Sequence, residues 1–121
     1  GTPIYLPFEG RIHSFQDNYN SGDYGPTIIT EHTLMDHVFY FLFGHLSRDN
    51  LVNLHKGKLI KKGEKIADLG TFEENGGWPP HLHFQIIKDL EGYLGDYPGV
   101  AKKSELDHYR DNCPDPMIIF N

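Results

Sequence analysis

Two histidines separated by one residue stand at His81 and His83. The pattern of residues 81–87 predicts a β-strand, in which side chains alternate between faces and residues two apart point the same way about 6.5–7 Å apart. His81, His83 and Gln85 are then expected to share one face. The opposite face, expected to point into the core, carries Leu82, Phe84 and Ile86. Two imidazoles on one strand face can act as a metal ligand and a neighbouring base, and two half-exposed surface histidines are the alternative.

A third candidate, His45, ends another strand-like segment, residues 37–45. Its spacing predicts that His45 continues the face formed by Phe39, Phe41 and Phe43. The ends of core strands are well placed to line a site on a rigid scaffold. His45 is therefore predicted either to line such a site or to cap the core with its ring bonded to backbone groups.

The other five histidines and the single cysteine give weaker signals. We expect surface or core-edge positions for His13, His32, His37, His55 and His108. Cys113 lies in a Cys-Pro-Asp-Pro turn with no Lys, Arg or His immediately beside it to favour the thiolate. A buried or partly buried structural thiol is the interpretation that this setting favours.

Short β-like segments separated by turns must position these side chains. Strands are predicted at residues 3–6, 10–14, 27–32, 37–45 and 81–87, with two further short strands after Gly57 that end with 65–69. A polar surface loop is expected over 16–26, and a four-residue connection before His37. Because both faces of 37–45 are apolar, a central strand covered on both sides is expected. Ser47 is a candidate N-cap for one or two helical turns through Leu54.

The predicted fold class is all-β. The 121 residues suffice for one domain. The strands place a single β domain over residues 1–88. Residues 89–121, where Gly and Pro punctuate the sequence and periodicity fades, are expected to form an irregular tail packed on the same domain, with one short helix near Ser104.

Composition excludes several classes of function. Seventeen acidic residues against 11 Lys and Arg give a net charge of −6, which argues against nucleic-acid binding. The longest apolar run, Val38 to Phe43, is far shorter than the roughly 18 residues of a membrane span. One cysteine excludes an internal disulfide framework. Neither a nucleotide-binding glycine motif nor a Gly-x-Ser-x-Gly elbow is present. With no targeting signal visible, the sequence reads as part of a longer chain.

Several short segments occur in a characteristic order. They are Gly1-Thr2-Pro3-Ile4-Tyr5, Gly10-Arg11-Ile12, Tyr24-Gly25, Ile28-Ile29 with His32, Gly44-His45-Leu46-Ser47, Gly57 to Gly63, Ile66-Ala67 to Gly70, and Pro80-His81-Leu82-His83-Phe84. In this order they resemble the lysostaphin-type (LytM-like) zinc metallopeptidases. The resemblance covers residues 1 to about 87, and the final His-Leu-His-Phe after a proline is its most specific part.

The tail carries a narrower resemblance. Residues 95–100 and 113–116 are similar to a group in which a peptidase-like domain is joined to a kinase-like domain and a pyridoxal-phosphate aminotransferase in one long bacterial polypeptide. Other domains of the same polypeptide are then possible partners. That group implies a cytoplasmic location, whereas a wall hydrolase implies the cell envelope, so the compartment stays open.

The family resemblance implies a compact antiparallel β-sandwich, or barrel-sandwich hybrid, with a groove that holds one zinc ion. By this resemblance His83 binds the zinc, and His81 is a catalytic histidine near the zinc-bound water. His45 lines the site and either stabilises the attacked carbonyl or positions the water. A catalytic zinc takes three protein ligands and a water.

The family's other two ligands come from a His-x-x-x-Asp segment before the Gly-Thr-Pro strand, whereas this sequence begins at Gly1. We therefore expect weak or absent zinc binding, and no activity, in these residues alone. His32 and Asp36 have the same spacing. Their order along the chain nevertheless places them at a strand end and connection, where the family carries a different histidine, so we do not expect them to bind zinc together.

Three functional hypotheses follow. The first is a zinc-dependent endopeptidase that acts on a peptide or on peptidoglycan stem peptides, near glycine or D-alanine. The second is a non-catalytic module that binds a peptide or amine, or regulates a larger fused enzyme. The third, a carrier-like domain, would need an exposed lysine such as Lys61 or Lys62 at a hairpin tip.

Overall fold

The computed structural model describes residues 2–18, 25–52, 54–71, 81–90 and 113. Within these ranges the chain forms β1 (Pro3–Tyr5), β2 (Gly10–Asn18), β3 (Gly25–Leu34), β4 (His37–Gly44), a 3-10 helix (Arg48–Leu51), β5 (Leu59–Ile60), β6 (Lys65–Asp68) and β7 (His83–Ile87). The predicted all-β fold is confirmed. In the part of the chain described, no helix is long and apolar enough to cross a membrane.

The strands form two antiparallel sheets. The larger sheet has five strands in the order β5-β2-β3-β4-β7, and the smaller pairs β1 with β6. β4 lies between β3 and β7, so it is an inner strand. The antiparallel architecture that the family resemblance implied is therefore the observed one.

Apolar side chains cover both faces of the large sheet. On one face lie Leu6, Ile12, Ile28, Phe41, Phe43, Leu46, Ile60 and Ile86, together with Ile4, Ile66 and Ala67. On the other lie Ile29, Leu42, Ile87 and Leu90, with Tyr40 and Cys113 packed against them. β4 contributes to both clusters, which confirms the prediction of a strand covered on both sides. Cys113 is partly buried, as expected.

The β3–β4 hairpin is longer than the sequence indicated. β3 and β4 pair out to Leu34 opposite His37, so a turn of two residues replaces the expected four-residue connection. Met35 and Asp36 both have positive φ, 51° and 67°, as a type I′ turn requires. The usual signal for such a turn is Asn-Gly or Asp-Gly. Because Met-Asp lacks that signal, the sequence did not show how far the pairing continues.

Three other boundaries differ. β2 extends to Asn18, four residues beyond its predicted end at residue 14 and into the loop expected over 16–26, because it pairs with β3 as far as Gly25. The helical segment is a single 3-10 turn, and Ser47 at its N-cap position makes no side-chain capping bond. β7 begins at His83 rather than at residue 81.

The start of β7 also changes the predicted core. Phe84 packs against the buried cluster and Ile86 belongs to it, as expected. Leu82, however, is 39% exposed and does not enter the core. It precedes the strand, so the alternation of side chains that would turn it inward does not yet apply. The domain boundary at residue 88 stays a prediction, because most of the tail, including His108 and the predicted helix near Ser104, lies outside the described residues.

His32 is a histidine of the core. It is 2% exposed, and its Nδ1 lies 2.9 Å from the carbonyl oxygen of Glu9. Since a carbonyl oxygen only accepts, Nδ1 carries the proton and Nε2 accepts from the Thr30 hydroxyl, 2.6 Å away. The ring also stacks on Phe39 at 5.3 Å. Both nitrogens are thus used inside the protein, and Asp36 is exposed in its turn, so the geometry gives no support to a shared zinc site.

Burial is the main reason that the pKa of His32 lies below its ordinary value, and the bond to Glu9 and the charge of Glu31 only partly offset it. A histidine with a lowered pKa in the folded state takes up its proton more readily when unfolded. Between the two pKa values the unfolded chain binds more protons, so stability rises with pH there. The neutral ring therefore stabilises the fold above about pH 6.5, and this contribution is lost on acidification.

We predict that His32→Leu lowers the free energy of unfolding by about 1–3 kcal/mol, because the Glu9 carbonyl and the Thr30 hydroxyl lose their partner inside the protein. His55→Leu, the same change at an exposed histidine, should stay within about 0.5 kcal/mol of wild type. Urea unfolding at pH 7.5 measures both. Repeated below pH 6.5, it should show a smaller acid-induced loss in His32→Leu than in wild type or His55→Leu. Equal pH dependence in all three proteins would contradict this role of His32.

The ends of β4 and β6 meet through close backbone contacts. The amide of Gly70 donates to the carbonyl of His45 at 2.8 Å, and that of Ser47 donates to Asp68 at 2.8 Å. A Cβ placed on Gly70 would collide with the carbonyl group of Leu46. Because a backbone carbonyl cannot move aside like a flexible side chain, this contact requires glycine. It holds the backbone that follows β4 in place.

We predict that Gly70→Ala destabilises the fold by about 1–3 kcal/mol or more and displaces His45, because the new methyl group overlaps backbone. Gly63→Ala is the control, since a Cβ there meets nothing within 4 Å although φ is +81°. Its cost should come from backbone strain alone, of order 1 kcal/mol. Urea unfolding measures stability, and the NMR ring signals of His45 report the displacement. Unchanged His45 signals in Gly70→Ala would show that this contact does not hold the segment.

Candidate functional site

Three histidine rings meet at one end of the large sheet. The ring centroids of His45 and His81 are 4.4 Å apart, and those of His45 and His83 are 6.0 Å apart. These are the three residues that the sequence singled out. The structure brings them together.

Pairing between β4 and β7 produces this meeting. The register places Gly44 opposite His83 and Phe43 opposite Phe84. His45 follows Gly44 directly, so it lies beside the start of β7. Residues 45 and 83 are far apart in the sequence, and the strand pairing makes them neighbours.

The backbone at His45 departs from the strand. Its φ is +62°, a left-handed conformation that is uncommon outside glycine but is adopted by histidine more often than by most residues. The alternation of side chains along β4 ends there, so the expectation that His45 continues the face of Phe39, Phe41 and Phe43 is wrong. Its ring instead lies against those of His81 and His83.

Exposure differs strongly among the three rings. His45 is buried, His83 is half-buried and His81 is exposed. Burial is the main cause that lowers the pKa of His83; the bond to Gln85 acts in the opposite direction, and the charge of His81 lowers it further. His83 therefore favours the neutral form, and a neutral imidazole is the form that binds a metal ion.

Aromatic side chains support the strands beneath the site. Phe84 contacts Phe43 with ring centroids 5.2 Å apart and Phe41 at 5.1 Å. Phe41 and Phe43 meet edge to face at 6.2 Å. This packing holds β4 and β7 together on the face opposite His83. A packed support of this kind keeps functional side chains in a defined geometry.

A zinc site would need more donors than this cluster supplies. Among the residues that the structure describes, no group of three or more His, Cys, Asp or Glu side chains is arranged to hold a metal ion. His83 fits the chemistry of one zinc ligand, since it is half-buried and its lowered pKa favours the neutral imidazole. The described residues thus fit part of a zinc site and do not complete one.

Two residues near the cluster were not assigned a role from the sequence. Gln85 lies within hydrogen-bond distance of His83, with Oε1 2.8 Å from Nε2. Gly70 bonds to the carbonyl of His45. The alternation pattern placed Gln85 on the face of His83, which was a usable signal. Nothing local in the sequence indicated that Gly70 approaches residue 45.

The remaining histidines in the described ranges lie away from the cluster. His37 and His55 are exposed, as expected. His13 is half-buried, lies in an irregularity of the β2–β3 pairing, and contacts Ser14 and Tyr40. The fused kinase-like and aminotransferase domains inferred from the tail stay a prediction.

Comparison with known proteins identifies relatives of this fold. The chain is 27% identical over 123 residues to the peptidoglycan DD-endopeptidase ShyB of Vibrio cholerae, a match that covers 89% of this chain and 26% of that protein. The chain therefore spans about a quarter of the length of this relative. The activity named for that relative belongs to that protein.

Solved structures show the same fold. The catalytic domain of lysostaphin from Staphylococcus simulans matches with a TM-score of 0.61 at 23% identity, covering 100% of this chain and 72% of that one. The catalytic domain of EnpA from Enterococcus faecalis matches with a TM-score of 0.56 at 21% identity, covering 83% of this chain and 69% of that one.

The sequence profile of Peptidase family M23 matches residues 1–94. Because this match spans most of the chain, the protein belongs to peptidase family M23.

Proposed function

We propose that this domain is a zinc-dependent endopeptidase that hydrolyses peptide bonds in peptidoglycan stem peptides. The observation that carries the proposal is the convergence of His45, His81 and His83 at the paired ends of β4 and β7. The M23 family is generally zinc-dependent, and a relative is a peptidoglycan endopeptidase. Both support the reaction class and the substrate.

His83 is the proposed zinc ligand. It stands on a strand within the sheet, is half-buried, and favours the neutral form. A ligand must present a lone pair from a fixed position. The neutral ring has the lone pair, and the paired strand fixes the position. The chemistry that a bound catalytic zinc supplies is polarisation of the scissile carbonyl and activation of water.

His81 and His45 are the proposed catalytic histidines. His81 is exposed, so its ring can reach a substrate and exchange protons with solvent. His45 is buried, and its carbonyl is anchored by Gly70, so its ring is held in a defined place. A fixed imidazole donor suits stabilisation of charge that develops on the attacked carbonyl oxygen.

Weak zinc binding by these 121 residues alone is part of the proposal. His83 is the one ligand that we assign among the described residues, and metal affinity depends on the number of ligands that are held ready. The reaction is therefore best tested in the full-length protein.

We predict that three alanine variants of the full-length protein separate ligand from catalytic roles. His83→Ala should lose both zinc and turnover. His45→Ala and His81→Ala should keep zinc near the wild-type content while turnover falls about 10²-fold or more, because a proton-transfer or oxyanion group acts in the transition state. His55→Ala is the control at an exposed position. Metal analysis and release of soluble peptides from purified peptidoglycan provide the two measurements.

Equal zinc loss in all three site variants would contradict the assigned roles. A wild-type protein that binds zinc stoichiometrically but releases no peptide would contradict the endopeptidase proposal. That second result would favour the alternative function, a non-catalytic module that binds a peptide or amine or regulates a larger enzyme.

A further inference from the structure

Gln85 connects His83 to a residue of the tail. Its Oε1 lies 2.8 Å from Nε2 of His83, and its Nε2 lies 3.8 Å from Sγ of Cys113. All three side chains are half-buried. The amide of Gln85 therefore stands between an imidazole and a thiol in a partly desolvated place.

The orientation of the Gln85 amide sets the direction of both bonds. In the structure its nitrogen donates to Sγ of Cys113, a weak acceptor. The oxygen side then faces His83. Because an amide oxygen only accepts, Nε2 of His83 must carry the proton in this bond. In a neutral imidazole with Nε2 protonated, the lone pair is on Nδ1.

We propose that Gln85 is a positioning residue that holds His83 in the Nε2–H tautomer and so assigns Nδ1 as its metal-binding atom. The inference rests on the proposed function, in which His83 is the zinc ligand. Metal-binding histidines generally donate their other N–H to an acceptor that fixes the tautomer and the ring orientation. Gln85 is placed to be that acceptor.

Strand geometry explains why Gln85 can hold this position. His83 and Gln85 are two apart on β7 and share a face. Both are paired with β4, His83 opposite Gly44 and Gln85 opposite Leu42. Their backbones therefore keep a constant separation, and the hydrogen bond needs no movement of the chain. Side chains held on a regular strand give more accurate positioning than side chains on a loop.

Substitutions that change only the hydrogen-bonding character of residue 85 test the inference. Gln85→Glu keeps an acceptor, Gln85→Lys offers donors only, and Gln85→Met offers neither. The matched control is Gln16→Lys, the same change at an exposed glutamine on β2. The ring ¹⁵N chemical shifts of His83, recorded on metal-free protein at pH 8, identify the tautomer of the neutral ring without any need for activity.

We expect the Nε2–H tautomer to dominate in wild type, Gln85→Glu and Gln16→Lys. Gln85→Lys should shift His83 towards the Nδ1–H tautomer, and Gln85→Met should leave a mixture. Zinc titration of the full-length proteins should show affinity about 10–100-fold weaker for Gln85→Lys, with Gln85→Glu close to wild type. Rescue by the glutamate variant separates positioning from a packing role, which any change of side chain would disturb.

A wild-type His83 that is mainly Nδ1–H would overturn the inference, and so would an unchanged tautomer in Gln85→Lys. A change of tautomer without a change of zinc affinity would also overturn it, because Nδ1 would then not be the binding atom. Failure of the proposed function has a different signature. In that case the tautomer and zinc affinity follow residue 85 as expected, but the full-length wild type hydrolyses no peptidoglycan.

Discussion

The antiparallel pairing of β4 with β7 determines where the three histidines meet. Gly44 stands opposite His83, and His45 follows Gly44 directly. Because side chains alternate along a strand, a shift of one residue would turn His83 to the phenylalanine face and expose Phe84 on the other. Contact of Phe84 with Phe43 therefore specifies the register. Apolar packing on one face of the sheet sets the orientation of the imidazole on the other.

This register depends on β4 being packed on both faces. Phe41 and Phe43 are buried on one side and Leu42 on the other. A slip of one residue would force phenylalanine rings into the space of Leu42 and leave their own space underfilled, which closely packed cores do not tolerate. The end of the strand is fixed separately, through the bond from Gly70 to the carbonyl of His45. A strand that is fixed along its length and at its end gives the neighbouring histidines a rigid support.

His32 and His83 show how hydrogen-bond partners divide structural from functional roles. Burial lowers the pKa of both His32 and His83, so both favour the neutral ring. In His32 the Glu9 carbonyl takes the N–H and the Thr30 hydroxyl uses the lone pair, so the ring serves the core. In His83 the bond to Gln85 involves Nε2. The tautomer proposed there places the lone pair on Nδ1, the nitrogen assigned to the metal.

The sequence by itself determined the fold class, the strand covered on both sides, the three histidines of the site and the resemblance to the family. Alternation of apolar side chains and the His-x-His spacing can be seen within a few residues, and the resemblance rests on short segments in a fixed order, so none of these features needs a contact between distant residues to be known. The tertiary structure decided that β2 and the β3–β4 hairpin extend further, that Leu82 stays outside the core, and that His45 leaves its strand with positive φ. It also decided that Gly70 approaches residue 45. Each of these depends on pairing or contact between residues far apart in the chain, and a local pattern carries no information about which distant backbone will lie beside it.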